Sequence, residues 1–237
     1  MAGMRRLLTL PDARELAFAA AGEFTRAVSA VKKGPIHVAL SGGNTPKSFH
    51  QVIVDKLAAR IPWDRVHVWW GDERCVPPDH PDSNYKMALE TLLSKVPVPA
   101  ANIHRVPVEA EDPSAAYQAT LKKEMGENPR FDWIFLGLGT DGHTASLFPG
   151  TPAVESTALV TAGYFEAKQS LRVTFTLPLI NAAAKVAFVV SGADKADMVK
   201  HVLEEPASPS HPASLVAPAK GDLIWLLDRD AASRLKA

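Results

Sequence analysis

Four short apolar runs, 36–40, 66–70, 133–136 and 186–190, each break into a polar loop that carries glycine. The loops are Ser41-Gly-Gly-Asn-Thr-Pro46, Gly71-Asp-Glu-Arg74, Gly137-Leu-Gly-Thr-Asp-Gly-His143 and Ser191-Gly-Ala-Asp194. Runs this short and this apolar suit strands buried on both faces. Helical patterns separate them. Leu16, Ala20, Phe24, Ala27, Val28 and Val31 recur at three- and four-residue spacing over 12–32, with Asp12 as N-cap and Gly34-Pro35 as the stop. Thr45 as cap and Pro46 at the first helical position start a helix that carries Phe49, Val52, Ile53 and Leu57. Further helices are expected near 84–93, over 114–125 behind Asp112 or Ser114, near 178–184, and around Met198, Val199, Val202 and Leu203. Residues 171–176 alternate like a strand and 223–227 form the last one. The stretches 149–169 and 206–218 read as connection and loop.

Strands alternating with helices over the whole length imply an α/β fold, a mostly parallel β-sheet with helices on both faces. No internal repeat or linker divides the chain, so a single domain over 1–237 is expected. In a parallel sheet the four strand ends share one edge, and their loops can build one site.

Composition narrows the function classes. Lys and Arg number 26, as do Asp and Glu, which leaves no basic footprint for nucleic acid. The single cysteine, Cys75, excludes an intrachain disulfide and fits a reducing, cytoplasmic setting. No apolar run approaches the roughly 18–20 residues of a membrane helix, and the N-terminal apolar stretch is too short for a secretory leader. His37, His67, His80 and His104 show no ligand spacing, so no metal site is expected.

Each loop carries its own chemistry. Ser41, Gly42, Gly43, Asn44 and Thr45 offer backbone N–H groups and hydroxyls at a helix start, the usual setting for a phosphate or carboxylate. A simple capped helix would use the same residues, but two consecutive glycines exceed what a cap needs. The Gly-Lys-Ser/Thr ending of a nucleotide loop is missing. Asp72, Glu73 and Arg74 place three charges directly after an apolar strand. Lys195 stands in the first turn of a helix, where a bound anion would offset its conflict with the helix dipole. Asp141 and His143 stand side by side in a glycine-rich turn, a constellation that serves equally as an ordinary Asp-Gly turn beside a surface histidine. Arg172 heads its strand, so it reaches the shared edge only if that strand runs antiparallel or the preceding connection folds over.

The segments ALSGGNTPKSF, WWGDERCVPPDHPDSNYKMA, FLGLGTDGHTASLFPG, RVTFTLPLINAA and VSGADKADMV resemble, in order, the signatures of the 6-phosphogluconolactonases, over roughly residues 36–205. The C-terminal PAKGDLIWLLDRDAA is similar to that family too. The resemblance implies a Rossmann-like sheet, no organic cofactor, and hydrolysis of 6-phospho-D-glucono-1,5-lactone to 6-phosphogluconate in the oxidative pentose phosphate pathway. It makes His143 the base, with Asp141 orienting its ring or the sugar hydroxyls. Arg74 would stabilise the developing oxyanion, and Asp72 would bind substrate hydroxyls or support Arg74. Ser41 to Thr45, Lys195 and Arg172 would hold the 6-phosphate. A small sugar phosphate is the expected partner, with no nucleic acid and no membrane, and a monomer or weak homodimer the expected state.

The related glucosamine-6-phosphate deaminases share the Gly-Gly-Thr and Asp-Gly-His motifs. They carry a glutamate five residues after the histidine and a tyrosine at the position of Arg74. Here the first position is Phe148, which moves no proton, and both departures point to the lactonase. Asn44, where serine is more usual, still donates a hydrogen bond. A non-catalytic sugar-phosphate sensor would need a DNA-reading unit, for which the chain has neither extra length nor a basic N-terminal segment. His211 reads as a surface residue, with an accessory substrate contact as the other option.

Overall fold

The computed structural model describes residues 3–165 and 169–236. Strands β1 (Arg5–Leu10), β2 (Ile36–Leu40), β3 (Val66–Trp70), β5 (Trp133–Leu136), β8 (Lys185–Val190) and β9 (Asp222–Asp228) form the main sheet in the order β1-β9-β8-β5-β2-β3. Every pairing in it is parallel. Strands β4 (Asp72–Arg74), β6 (Val160–Phe165) and β7 (Ser170–Phe175) form a second, antiparallel sheet in the order β4-β7-β6. Helices α1 (Ala13–Ala30), α2 (Asn44–Val52), α3 (Asn84–Thr91), α4 (Pro113–Met125), α5 (Leu177–Ala182) and α6 (Ala196–Glu204) complete the regular elements used below.

The α/β class and the mostly parallel sheet are as expected, and helices cover both faces. On one face Phe24 of α1 meets Trp133 and Phe135, and Phe49 of α2 stacks on Phe135. On the other, Trp69 meets Tyr117 of α4 and Phe131, and Tyr117 stacks on Phe175. The alternation of β5 side chains sends Trp133 and Phe135 to one layer and Ile134 and Leu136 to the other. All four are buried. Asp12 caps α1 by accepting from the Glu15 N–H, and Asp112 caps α4 through the Ala115 N–H.

Four local features add to or depart from the expectations. Residues 171–176 form the expected strand, and of the two arrangements left open for Arg172 the antiparallel one holds: as β7 they run between β4 and β6. The connection 149–169 contains β6, which among the described residues pairs only with β7 and whose middle residues face solvent, so its pattern lacks an apolar stripe. Residues 166–168 of that connection lie outside the described residues. β1 is an edge strand with alternating exposure, built on an N-terminal run that sequence reading leaves unassigned. Finally, α2 is not capped by Thr45. Gly43, at φ 99°, occupies the N-cap and α2 begins at Asn44. That backbone region is open to glycine at little cost, and it turns the chain into the helix two residues earlier.

Candidate active site

A cleft of about 440 Å³ opens over the C-terminal ends of β8, β5, β2 and β3. Of the sequence-predicted residues, Ser41 to Thr45, Asp72, Arg74, His143, Arg172 and Lys195 line it; Asp141 stands behind His143. The two sheets meet at Gly71, whose N–H donates to Leu40 O (3.0 Å) and whose carbonyl accepts from Phe175 N–H (2.8 Å). That junction brings Arg172 to the cleft, because β7 arrives antiparallel and pairs Arg172 directly with Arg74.

The β2–α2 loop presents the start of α2 to the cleft with no side chain capping its N–H groups. A helix start left open in this way leaves N–H donors of the kind that suit an anion. Gly42 is needed for close approach: a Cβ there would stand 1.9 Å from Asn84 Oδ1. Lys195 reaches the cleft from the N-cap of α6, with Nζ 3.4 Å from Asp194. Its loop is anchored from below by buried Asp228, which accepts from Ser191 Oγ and from the Gly192 N–H at 3.1 Å.

The β5 loop folds on itself through Gly139 N–H to His143 O (2.8 Å) and Gly142 N–H to Gly139 O (3.1 Å). Asp141 Oδ1 accepts from the His143 N–H at 3.1 Å and lies 2.5 Å from Nδ1 of its ring. The Asp-x-His spacing therefore closes into a dyad, with Nδ1 occupied and Nε2 left for the cleft. Burial raises the Asp141 carboxyl, but the His143 N–H and ring outweigh it and hold the group below its ordinary range. Gly139 permits the dyad to fold against the loop, since a Cβ would fall 2.0 Å from Nδ1.

The charged β3–β4 segment divides its labour in a way that sequence reading does not foresee. Asp72 is buried; Ser146 Oγ donates to it at 2.6 Å, Asn84 Nδ2 donates to its carbonyl at 2.9 Å, and Arg172 Nη1 lies 3.9 Å away. Its partners are thus Ser146, Asn84 and Arg172, whereas Arg74 donates to the Asp82 carbonyl at 2.5 Å. Glu73, assigned no task above, accepts from the N–H groups of Arg74, Asn84 and Tyr85, each at 2.8 Å, and from Ser83 Oγ at 3.2 Å. It clamps the start of α3 and so seats Asn84. Burial pushes its carboxyl above the usual range, those N–H groups oppose the rise, and Asp72 adds to it.

Arg172 Nε and Arg74 Nε are buried without a hydrogen-bond partner among the described residues. Burial pulls the Arg172 guanidinium down, Asp72 opposes this and Arg74 adds to it. Two adjacent guanidinium groups with unused donors favour an anionic ligand or a developing negative charge. Phe148 is buried, stacked on Phe165, with its ring 4.4 Å from His143 and 5.6 Å from the Arg172 guanidinium. Ala145, at the cleft wall, holds φ 49°, a strained conformation for a residue with a Cβ.

Asn84, Ser146 and Asp228 are the residues that sequence reading missed, since each acts through a partner far along the chain. His211 does not line the cleft. It packs behind the β5 loop, where a Cβ on Gly142 would meet its Cα at 3.0 Å and Ala213 N–H donates to Gly142 O.

A sequence profile of glucosamine-6-phosphate isomerases/6-phosphogluconolactonase matches residues 11–225. The chain is 44% identical to the 6-phosphogluconolactonase of Synechocystis over 90% of both chains, and 43% identical to that of Nostoc over 89% of this chain and 90% of the other. The solved 6-phosphogluconolactonase from Trypanosoma cruzi superimposes with a TM-score of 0.88 at 26% identity, covering 100% of this chain and 99% of that one.

Proposed function

The chain belongs to the glucosamine-6-phosphate isomerase/6-phosphogluconolactonase family, and from that premise we infer that it hydrolyses 6-phospho-D-glucono-1,5-lactone to 6-phospho-D-gluconate, a step of the oxidative pentose phosphate pathway. The observation that carries the reading is the Asp141–His143 pair, which turns one free imidazole nitrogen to a cleft lined by two arginines and an open helix start. His143 Nε2 takes a proton from water as the water oxygen bonds to the lactone carbonyl carbon. Asp141 holds the tautomer with Nδ1 protonated and stabilises the imidazolium that forms. The carbonyl oxygen gains negative charge beside Arg74 and beside Arg172, which its pairing opposite Arg74 favours for this role over the phosphate grip expected from the sequence. When the tetrahedral intermediate collapses, the bond to the ring oxygen breaks, and the imidazolium returns its proton to that leaving oxygen. The Ser41–Thr45 N–H groups and Lys195 grip the phosphate and fix the lactone against the base.

Phe148 separates this reading from the deaminase one. An apolar ring packed on His143 supplies no second acid–base group there. No ammonia is therefore expected from glucosamine 6-phosphate.

The reading is tested with freshly made lactone measured against its spontaneous hydrolysis. His143→Ala should lose roughly 10²–10⁴-fold of the acceleration with an unchanged circular dichroism spectrum. Parental activity in the variant would sink the assignment. No helix among the described residues is long and apolar enough to cross a membrane. Among those residues the exposed large apolar side chains are Met4, Leu7, Phe18, Tyr164 and Leu171, a short set that supports a monomer or weak homodimer. The unpaired Cys75 supports a cytoplasmic setting.

A further inference from the structure

At the end of the sheet opposite the cleft, the fold gathers three donor groups that no spacing in the chain announces. His67 is the second residue of β3, His104 lies 37 positions on, and Glu124 stands in the last turn of α4. His67 Nδ1 and His104 Nε2 are 2.9 Å apart, and one nitrogen from each ring and a Glu124 carboxylate oxygen lie within 4.8 Å of one another. The two imidazole rings are nearly coplanar, at 12°, with centroids 5.2 Å apart, so the nitrogens meet end to end and share a single proton. His104 is held in place by stacking on Trp69 and by its N–H, which donates to Val68 O. Neighbouring His37 is not part of the set, because its Nδ1 already accepts from Trp69 Nε1.

We propose that His67, His104 and Glu124 form a peripheral site for a divalent transition metal of the zinc type. Two imidazoles and one carboxylate, with water in a fourth position, are a common tetrahedral donor set for zinc, and imidazole donors favour zinc, nickel, cobalt and copper over magnesium or calcium. With metal–nitrogen bonds of about 2.0–2.1 Å, tetrahedral coordination places the two nitrogens roughly 3.3 Å apart. The pair needs only to part by a few tenths of an ångström, swing one ring, and let the metal replace the shared proton while Glu124 closes in. The site lies at the far end of β3 from Asp72, so the ion would serve as a clip joining β3, the 96–107 connection and α4, independent of the hydrolytic chemistry.

The test uses the full chain with His143→Ala as background, which removes the cleft histidine as a competing ligand. Titration with Zn²⁺ should show one equivalent bound, Co²⁺ should give the visible absorption of a four-coordinate ion, and saturating Zn²⁺ should raise Tm by a few degrees. Glu124→Gln preserves shape and leaves the histidine pair intact, and should weaken binding roughly tenfold or more. His104→Asn should abolish the stoichiometric site. The proposal is overturned if the parent chain binds no Zn²⁺ below millimolar concentration. It is also overturned if affinity and the Tm rise are the same in Glu124→Gln as in the parent.

Discussion

Gly139→Ala isolates the geometry of the dyad from everything else in the cleft. Gly139 is not among the residues with positive φ, so alanine is admissible to the backbone. Its methyl, however, would stand 2.0 Å from His143 Nδ1, 2.3 Å from Cε1 and 2.4 Å from Asp141 Oδ1. An ordinary carbon contact begins near 3.4 Å, so the ring must retreat by roughly 1.4 Å or break its bond to Asp141. A misplacement of about 1 Å at a catalytic group costs on the order of 10²-fold in rate, about 2.7 kcal/mol of barrier. The expected result is a kcat lowered by about 10²–10³-fold. Affinity for 6-phosphogluconate should change no more than about threefold, because the phosphate seat at Ser41–Thr45 and Lys195 is built on other strands. Overpacking costs about 1–3 kcal/mol in a close-packed site and the loss of glycine entropy returns about 0.4–1 kcal/mol, so Tm should fall by only a few degrees. Stopped-flow measurement of acid release from fresh lactone gives kcat; product inhibition gives the affinity. Parental kcat in a variant that folds would show that the position of the imidazole does not govern the rate, and the general-base role would go with it.

Glu73→Ala should destabilise the chain although Glu73 itself does not line the cleft. It strips an acceptor from three buried or part-buried N–H groups and a serine hydroxyl. The cost should be about 2–4 kcal/mol, a fall in Tm of roughly 5–15 °C seen by calorimetry, with Glu73→Gln intermediate because it keeps one acceptor oxygen. Stability should also decline in mild acid. Burial lowers His37 and His104 to about 4 and His50 to about 3, whereas the unfolded chain titrates near 6.5. The unfolded state thus binds more protons below that value. The contribution of these groups is fully present above about pH 6.5 and is lost as pH falls toward 4. Urea unfolding in the presence of a chelator should show it, and His37→Gln, which leaves an acceptor for Trp69, should remove up to one proton from the slope. A flat stability profile between pH 7 and 5 would contradict the buried, neutral state of all three.

Four strands of the parallel sheet, β2, β3, β5 and β8, were legible because they are nearly all apolar and each runs into a glycine-bearing loop, and β9 by its apolar run alone; β1, which alternates in exposure, was not. The second sheet was not, for a physical reason that its residues make plain. β4 is Asp-Glu-Arg, which has no strand propensity of its own and is extended only because β7 pairs with it. β6 contains Gly163 and turns most of its side chains to solvent. Neither segment carries a pattern that a window of sequence can register. The dyad, the anion seat and the lysine could be found because each lies within a few residues of one strand end. Asn84, Ser146 and Asp228 are joined to their partners across 12, 74 and 37 positions, and polarity alone marks none of them.

The same distinction explains why the second sheet matters to the chemistry. A parallel sheet delivers its loops along one edge, and that edge supplies His143, the open helix start and Lys195. Such loops emerge side by side, so a wall facing them must come from elsewhere. Gly71 carries hydrogen bonds to both sheets, and beyond it the chain turns to run antiparallel with β7, which sets Arg74 opposite Arg172. Phe148 then lies against both His143 and the Arg172 guanidinium, so one apolar ring sets the spacing between the proposed base and the proposed oxyanion partner. A glutamate in its place would pair with Arg172 and add a second proton-active group beside His143. In this fold the choice at position 148 therefore governs two groups at once: whether the imidazole works alone, and whether the arginine remains free to meet the negative charge that the reaction creates.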